Sequence, residues 1–90
     1  MHTLSAKLTY YIPSAVSLKD KRQIRRSIVE KTKKRFNASI SEVDTQDVHQ
    51  TLTLGVAIVC ADYAHGLNTL EEIIRFMEKN PEAELTSIEK

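Results

Sequence analysis

Apolar and polar residues alternate one for one over residues 3 to 12, with Leu4, Ala6, Leu8, Tyr10 and Ile12 in one phase and Thr3, Ser5, Lys7, Thr9 and Tyr11 in the other. A period of two predicts a half-buried strand, and Pro13-Ser14 ends it. The period then changes. Ser17 reads as a helix N-cap, with Asp20 three residues on as its capping-box partner. At about 100° per residue, Leu18, Ile24, Ile28, Val29, Thr32 and Phe36 gather on one helix face, and Asn37 is the expected stop. Residues 38 to 43 are rich in strand formers, and Thr51 to Cys60 alternate again with Leu52, Leu54, Val56, Ile58 and Cys60 in phase. The polar stretch Asp44 to Gln50 between them reads as a hairpin connection. Asp62 can cap a second helix whose apolar face is Leu67, Leu70, Ile73, Ile74 and Met77, with Asn80-Pro81 as its stop. A short strand from Ala83 to Ile88 closes the chain.

The resulting order β-α-β-β-α-β predicts an α+β, ferredoxin-like fold, in which four antiparallel strands carry both helices on one face. With 90 residues the chain is read as a single domain, residues 1–90, large enough to fold alone around a thin core. Two Gly and two Pro argue against disorder. The single cysteine, Cys60, excludes an internal disulfide, a Cys-rich metal site and an iron–sulfur cluster, and suits a reducing compartment. The longest apolar run, Leu54 to Ala61, is eight residues, too short for a membrane span. The N-terminus lacks the basic start and apolar stretch of a signal peptide. A cytoplasmic protein with no membrane partner is therefore expected.

Charge changes this picture most. The window from Lys19 to Arg35 holds nine of the thirteen basic residues against two acidic ones, a net of +7, while the remainder of the chain nets −6. Within that window Lys19, Arg22, Arg26 and Lys33 project within about 60° of one another, forming a stripe along the first helix. Stability alone would not select it. Cations in the first turn oppose the helix dipole by about 0.3–1 kcal/mol each, and like charges at helical spacing cost a few tenths of a kcal/mol per pair. The second helix, with Glu71, Glu72 and Glu78 against Arg75 and Lys79, cannot neutralise such an excess. Apart from the cap Asp62, the remaining acids lie in the hairpin (Glu42, Asp44, Asp47) and the tail (Glu82, Glu84, Glu89), placed to meet the basic helix of a second molecule. An anionic partner follows. For RNA, Lys19, Arg22, Arg26 and Lys33 are the expected phosphate contacts, with Lys21 and Arg25 flanking them. The alternatives are a helix that docks an acidic protein surface and a merely solvated face.

Other modes find less support. An RRM-type sheet stacks bases on aromatic residues of its central strands, whereas the open-face positions of the third strand are Thr51, Thr53, Gly55, Ala57 and Val59. A KH-type GxxG loop is absent, since the only glycines are Gly55 and Gly66. No phosphate-cradling loop or catalytic grouping has a recognisable spacing, so neither enzymatic activity nor a resident cofactor is expected. The polar group Glu42, Asp44, Gln46, Asp47 and His49 reads as a solvated turn, with metal binding as a minor branch. Tyr11, Gly55, Ala57, Val59 and Ile88 are expected to compose a small, mildly apolar open face, which suggests a homodimer contact.

Several blocks together carry a family likeness. Ile12-Pro13, Ser17-Leu18-Lys19-Asp20-Lys21-Arg22, Arg35-Phe36-Asn37-Ala38-Ser39-Ile40-Ser41-Glu42-Val43, Gln46-Asp47 and Leu54-Gly55-Val56-Ala57 resemble the YlxP-like family of small bacterial proteins of unknown function, over roughly residues 4–88. The resemblance implies a ferredoxin-like domain, a bacterial cytoplasmic source and a gene often found among translation and ribosome-maturation genes. It implies no catalytic residues. Where the family usually has Asp-Leu-Trp-Gln, this chain has Asp47-Val48-His49-Gln50, and Thr51 stands where a basic residue is common. An RNA-binding or ribosome-associated accessory protein is the expectation from both lines.

Overall fold

The computed structural model describes all 90 residues. Strand β1 (His2–Tyr11) leads to helix α1 (Leu18–Arg35), the short strand β2 (Ser39–Glu42), strand β3 (Thr51–Cys60), helix α2 (Tyr63–Glu78) and strand β4 (Glu84–Glu89). The strands form one antiparallel sheet in the order β2-β3-β1-β4, the expected ferredoxin-like arrangement. The central pair runs in unbroken register from His2 opposite Cys60 to Tyr11 opposite Thr51.

The period-two pattern determines which side of this sheet is covered. Ala6, Leu8, Tyr10 and Ile12 share the buried face with Leu52, Leu54, Val56 and Ile58, and Ile24, Ile28, Leu70, Ile73, Ile74 and Met77 close over them from the helices. Burying each aliphatic side chain contributes about 1.5–3 kcal/mol. Tyr10 is fully enclosed, and its hydroxyl donates to the Met77 carbonyl at 3.0 Å, tying β1 to the end of α2. Burial is the main cause that pushes the phenol pKa well above its ordinary value, with the charge of Glu78 adding to it.

Both helices start as predicted. The Ser17 hydroxyl accepts from the Asp20 amide at 3.2 Å, and the Asp20 carboxylate accepts from the Val16 amide at 3.1 Å. Asp62 accepts from the His65 amide at 2.8 Å. Helix α1 ends one residue sooner than expected, because Phe36 is already extended (φ −129°, ψ 147°) while its N–H still bonds the Thr32 carbonyl. Gly66 allows α2 to approach β3, since a Cβ there would collide with the Cys60 sulfur.

Strand β4 departs from simple alternation. Tyr10 faces Leu85 but Thr9 faces Ser87, so Thr86 is an extra residue in the ladder, and its hydroxyl bonds the Thr9 carbonyl at 3.0 Å. The bulge reverses the phase beyond it. Ile88 therefore lies opposite Leu8 on the helix side, a correction to its expected place on the open face, and Glu89 comes to face Lys7. No helix is long and apolar enough to cross a membrane.

Candidate nucleic-acid interface

Helix α1 turns a different set of residues inward than its apolar pattern suggests. Ile24, Ile28 and Thr32 are buried, Lys21 is buried with them, and Leu18 is exposed. The Lys21 side chain is 2% exposed and crosses beneath the hairpin connection. Its ammonium donates to the carbonyls of Thr45 at 2.6 Å and Val48, and lies 3.3 Å from that of Thr51 and 3.5 Å from that of Gln46. Glu42 Oε2 stands 2.7 Å away as its counter-ion, and Glu42 Oε1 takes the Arg25 guanidinium at 3.0 Å. Glu42 is 6% exposed because β2 points it, two residues after the buried Ile40, into the layer between sheet and helix.

This arrangement corrects two expected contacts. Lys21 cannot reach a phosphate, since its charge is spent inside the fold, and Arg25 is half-buried and held by Glu42. It also corrects the expected place of Glu42, which neutralises the basic helix of its own chain rather than that of a second molecule.

The stripe itself is where the helical spacing puts it. Lys19, Arg22, Arg26 and Lys33 are exposed, as are Lys31, Lys34 and Arg35, and none of the seven forms an ion pair with a carboxylate. Glu30 is the one exposed acid among them, about 20° round the helix from Lys19. At the far end the Arg35 guanidinium lies 5.1 Å from the Phe76 ring centroid and 5.7 Å from that of Phe36, and the two rings meet edge to face. That aromatic pairing escapes sequence reading because Phe76 comes from α2.

The open face of the sheet is chemically different. Lys7 crosses it to Asp44 at 2.8 Å and Glu89 at 3.5 Å. The hydrogen bond to Asp44, then the charges of Asp44 and Glu89, hold its pKa above the usual lysine value. Tyr11 is the one aromatic residue on this face of the two central strands. The polar hairpin group does not converge either: Glu42 faces inward to Lys21, Asp44 turns to Lys7 with a positive φ of 65°, and Asp47 and His49 are exposed.

Sequence comparison gives the family. A family model described as "Protein of unknown function (DUF503)" matches residues 3–90. The chain is 35% identical over 75 residues to the "Uncharacterized protein YlxP" of Bacillus subtilis (strain 168), a match covering 83% of this chain and 82% of that protein. With the family model spanning nearly its whole length and this relative aligned over most of both chains, the protein belongs to the YlxP-like DUF503 family.

Proposed function

We propose that this protein is a non-enzymatic cytoplasmic accessory protein that binds RNA or ribosomal particles through the exposed stripe of α1. The observation that carries this reading is that Lys19, Arg22, Arg26 and Lys33 form no ion pair with a carboxylate, while the inward cations Lys21 and Arg25 share the Glu42 carboxylate. The inward pair clamps the helix to β2 and the hairpin, so the outward four are held in a fixed row. Such a row contacts phosphates and carries little base preference. The sheet is not the binding platform in this reading, because it lacks stacked aromatics and its one lysine is already paired.

Four phosphate contacts imply an affinity loss of about 100-fold between 50 and 200 mM salt. The test is binding of ribosomal RNA fragments at low and physiological salt by the wild type and by the Lys19/Arg22/Arg26/Lys33→Glu variant, with circular dichroism confirming the fold. Salt-sensitive binding that vanishes in the variant supports the proposal. Unchanged affinity in a folded variant refutes it.

A second reading, docking of an acidic protein surface or of a second copy, rests on the exposed apolar side chains of Val16, Leu18 and Val48 near the head of α1, beside Lys19 and Arg22. A salt-labile assembly in sedimentation, without RNA affinity, would favour it.

A further inference from the structure

The cleft that α1 forms with the end of α2 and the turn after it is polarised along its length. Towards the start of α1 it is lined by Asp20 and Glu82, both acidic. Beyond Asn80 its character reverses, to a groove of about 190 Å³ bordered by Lys31 and Lys79, floored by Ile28 and Met77, and walled by Phe76. No acidic residue lines this half, and neither lysine has a carboxylate partner. The Asn80 side-chain oxygen accepts from the Glu82 amide at 2.9 Å, which leaves its NH2 group to donate. Outside the groove, Arg35 lays its guanidinium 5.1 Å from the Phe76 centroid and holds the ring in place.

Size and chemistry together narrow the occupant. Whole cofactors and drug-sized ligands occupy roughly 300–1,000 Å³, more than this groove holds. A single planar ring fits the apolar part, with an attached anion left outside at the lysine rim. The groove also connects with the stripe, because Arg26, Lys31 and Lys34, with Glu30 among them, line one shallow depression on the neighbouring side of α1.

We infer that this groove takes one unpaired nucleotide of the bound RNA, its base against the groove side of Phe76 and its phosphate between Lys31 and Lys79. The inference rests on the proposed RNA-binding role of α1 and adds to it a discriminating element: the stripe holds the backbone, and the groove selects RNA in which a base is free to leave the helix. The Asn80 amide supplies a donor for the edge of that base.

The test compares two RNA hairpins of equal phosphate number, one with a bulged adenosine and one with an abasic bulge. Wild-type protein is expected to prefer the adenosine bulge by about 10-fold, the scale of one base stacked on an aromatic. Phe76→Leu should abolish the preference while leaving affinity for the abasic hairpin unchanged, and Phe76→Tyr should retain it. Thermal melts establish that both variants fold. An independent arm titrates adenosine monophosphate and follows the amide resonances of Phe76, Lys79 and Asn80, which should shift in wild type and not in Phe76→Leu. Equal affinity for the two hairpins in wild type, or a preference that survives in Phe76→Leu, overturns the inference while the RNA reading of α1 stands. Groove shifts with the monophosphate but no RNA affinity would uphold the nucleotide site and overturn the role of the stripe.

Discussion

Replacing Glu42 by Gln changes almost nothing in shape and removes one charge, which isolates what the buried cluster contributes. In the native protein this carboxylate sits 2.7 Å from the Lys21 ammonium and 3.0 Å from the Arg25 guanidinium, with the Lys21 and Glu42 side chains 2% and 6% exposed. Breaking a buried pair by neutralising one partner costs about 3–5 kcal/mol, because the remaining charge stays in a poorly solvated site. Two details favour the lower end. Lys21 retains its backbone carbonyls, and Arg25, 33% exposed, can turn towards water. A loss of about 3 kcal/mol is a large share of the roughly 5–13 kcal/mol available to a domain of this size. At about 4–8 °C per kcal/mol, the melting temperature should fall by roughly 12–24 °C. Thermal melts followed by circular dichroism, with urea titrations for the free energy, measure this directly. A Lys21→Met/Glu42→Leu double variant should not recover the loss, since it removes the donor shared by the Thr45 and Val48 carbonyls and leaves them unpaired. Below its midpoint, Glu42→Gln should keep RNA affinity within about twofold, as the stripe is untouched. A midpoint within about 3 °C of wild type would refute the reasoning, and so would a double variant as stable as wild type.

Two further outcomes follow from residues already described. Tyr10→Phe should lose about 1 kcal/mol at neutral pH with the hydrogen bond to the Met77 carbonyl. The folded phenol titrates above its ordinary 10.0, so wild-type stability is full below that pH and falls as the unfolded tyrosine ionises above it. The difference between wild type and Tyr10→Phe in urea midpoints should therefore narrow above about pH 10, and a constant difference to pH 11 would contradict this account. Glu30→Gln removes the one acid within the stripe and should strengthen RNA binding about threefold, the effect of one charge at roughly 7 Å in water. Weaker binding by this variant in the same salt series would count against phosphate contact there.

The two kinds of periodicity make most of this architecture legible in the sequence. The alternation of Leu8 with Thr9 and of Leu54 with Gly55 reports which face of the sheet is covered, and Ser17 and Asp62 mark the helix starts because capping is a local hydrogen-bond pattern. The same rules also contained the buried cluster. Lys21 lies about 20° from both Ile28 and Thr32 on the helix wheel, and Glu42 is two residues after Ile40 on a strand, so both point inward by phase. Their charge obscured this, because a buried cation is tolerable only when a carboxylate and carbonyls from distant segments surround it. Such tertiary neutralisation has no local signature. The bulge at Thr86 was hidden for a similar reason: an extra residue in β4 shows only against β1. The stripe of Lys19, Arg22, Arg26 and Lys33 was legible because exposure needs no partner. The groove at Phe76 was not, since α1 and α2 each supply only part of it.

Helix α1 carries two populations of positive charge that obey different laws of screening. Mobile ions reach the exposed row freely, and at physiological ionic strength its influence fades over about 8 Å. They have no access to Lys21, which is fixed by a covalent stem among carbonyl oxygens where a free cation would otherwise have to be captured from solution. A tethered ammonium is present once per molecule at any dilution, so the shape of the hairpin is independent of the ionic medium. Raising salt should silence the outer charges while leaving the inner one in force, releasing a ligand from a surface whose form does not change.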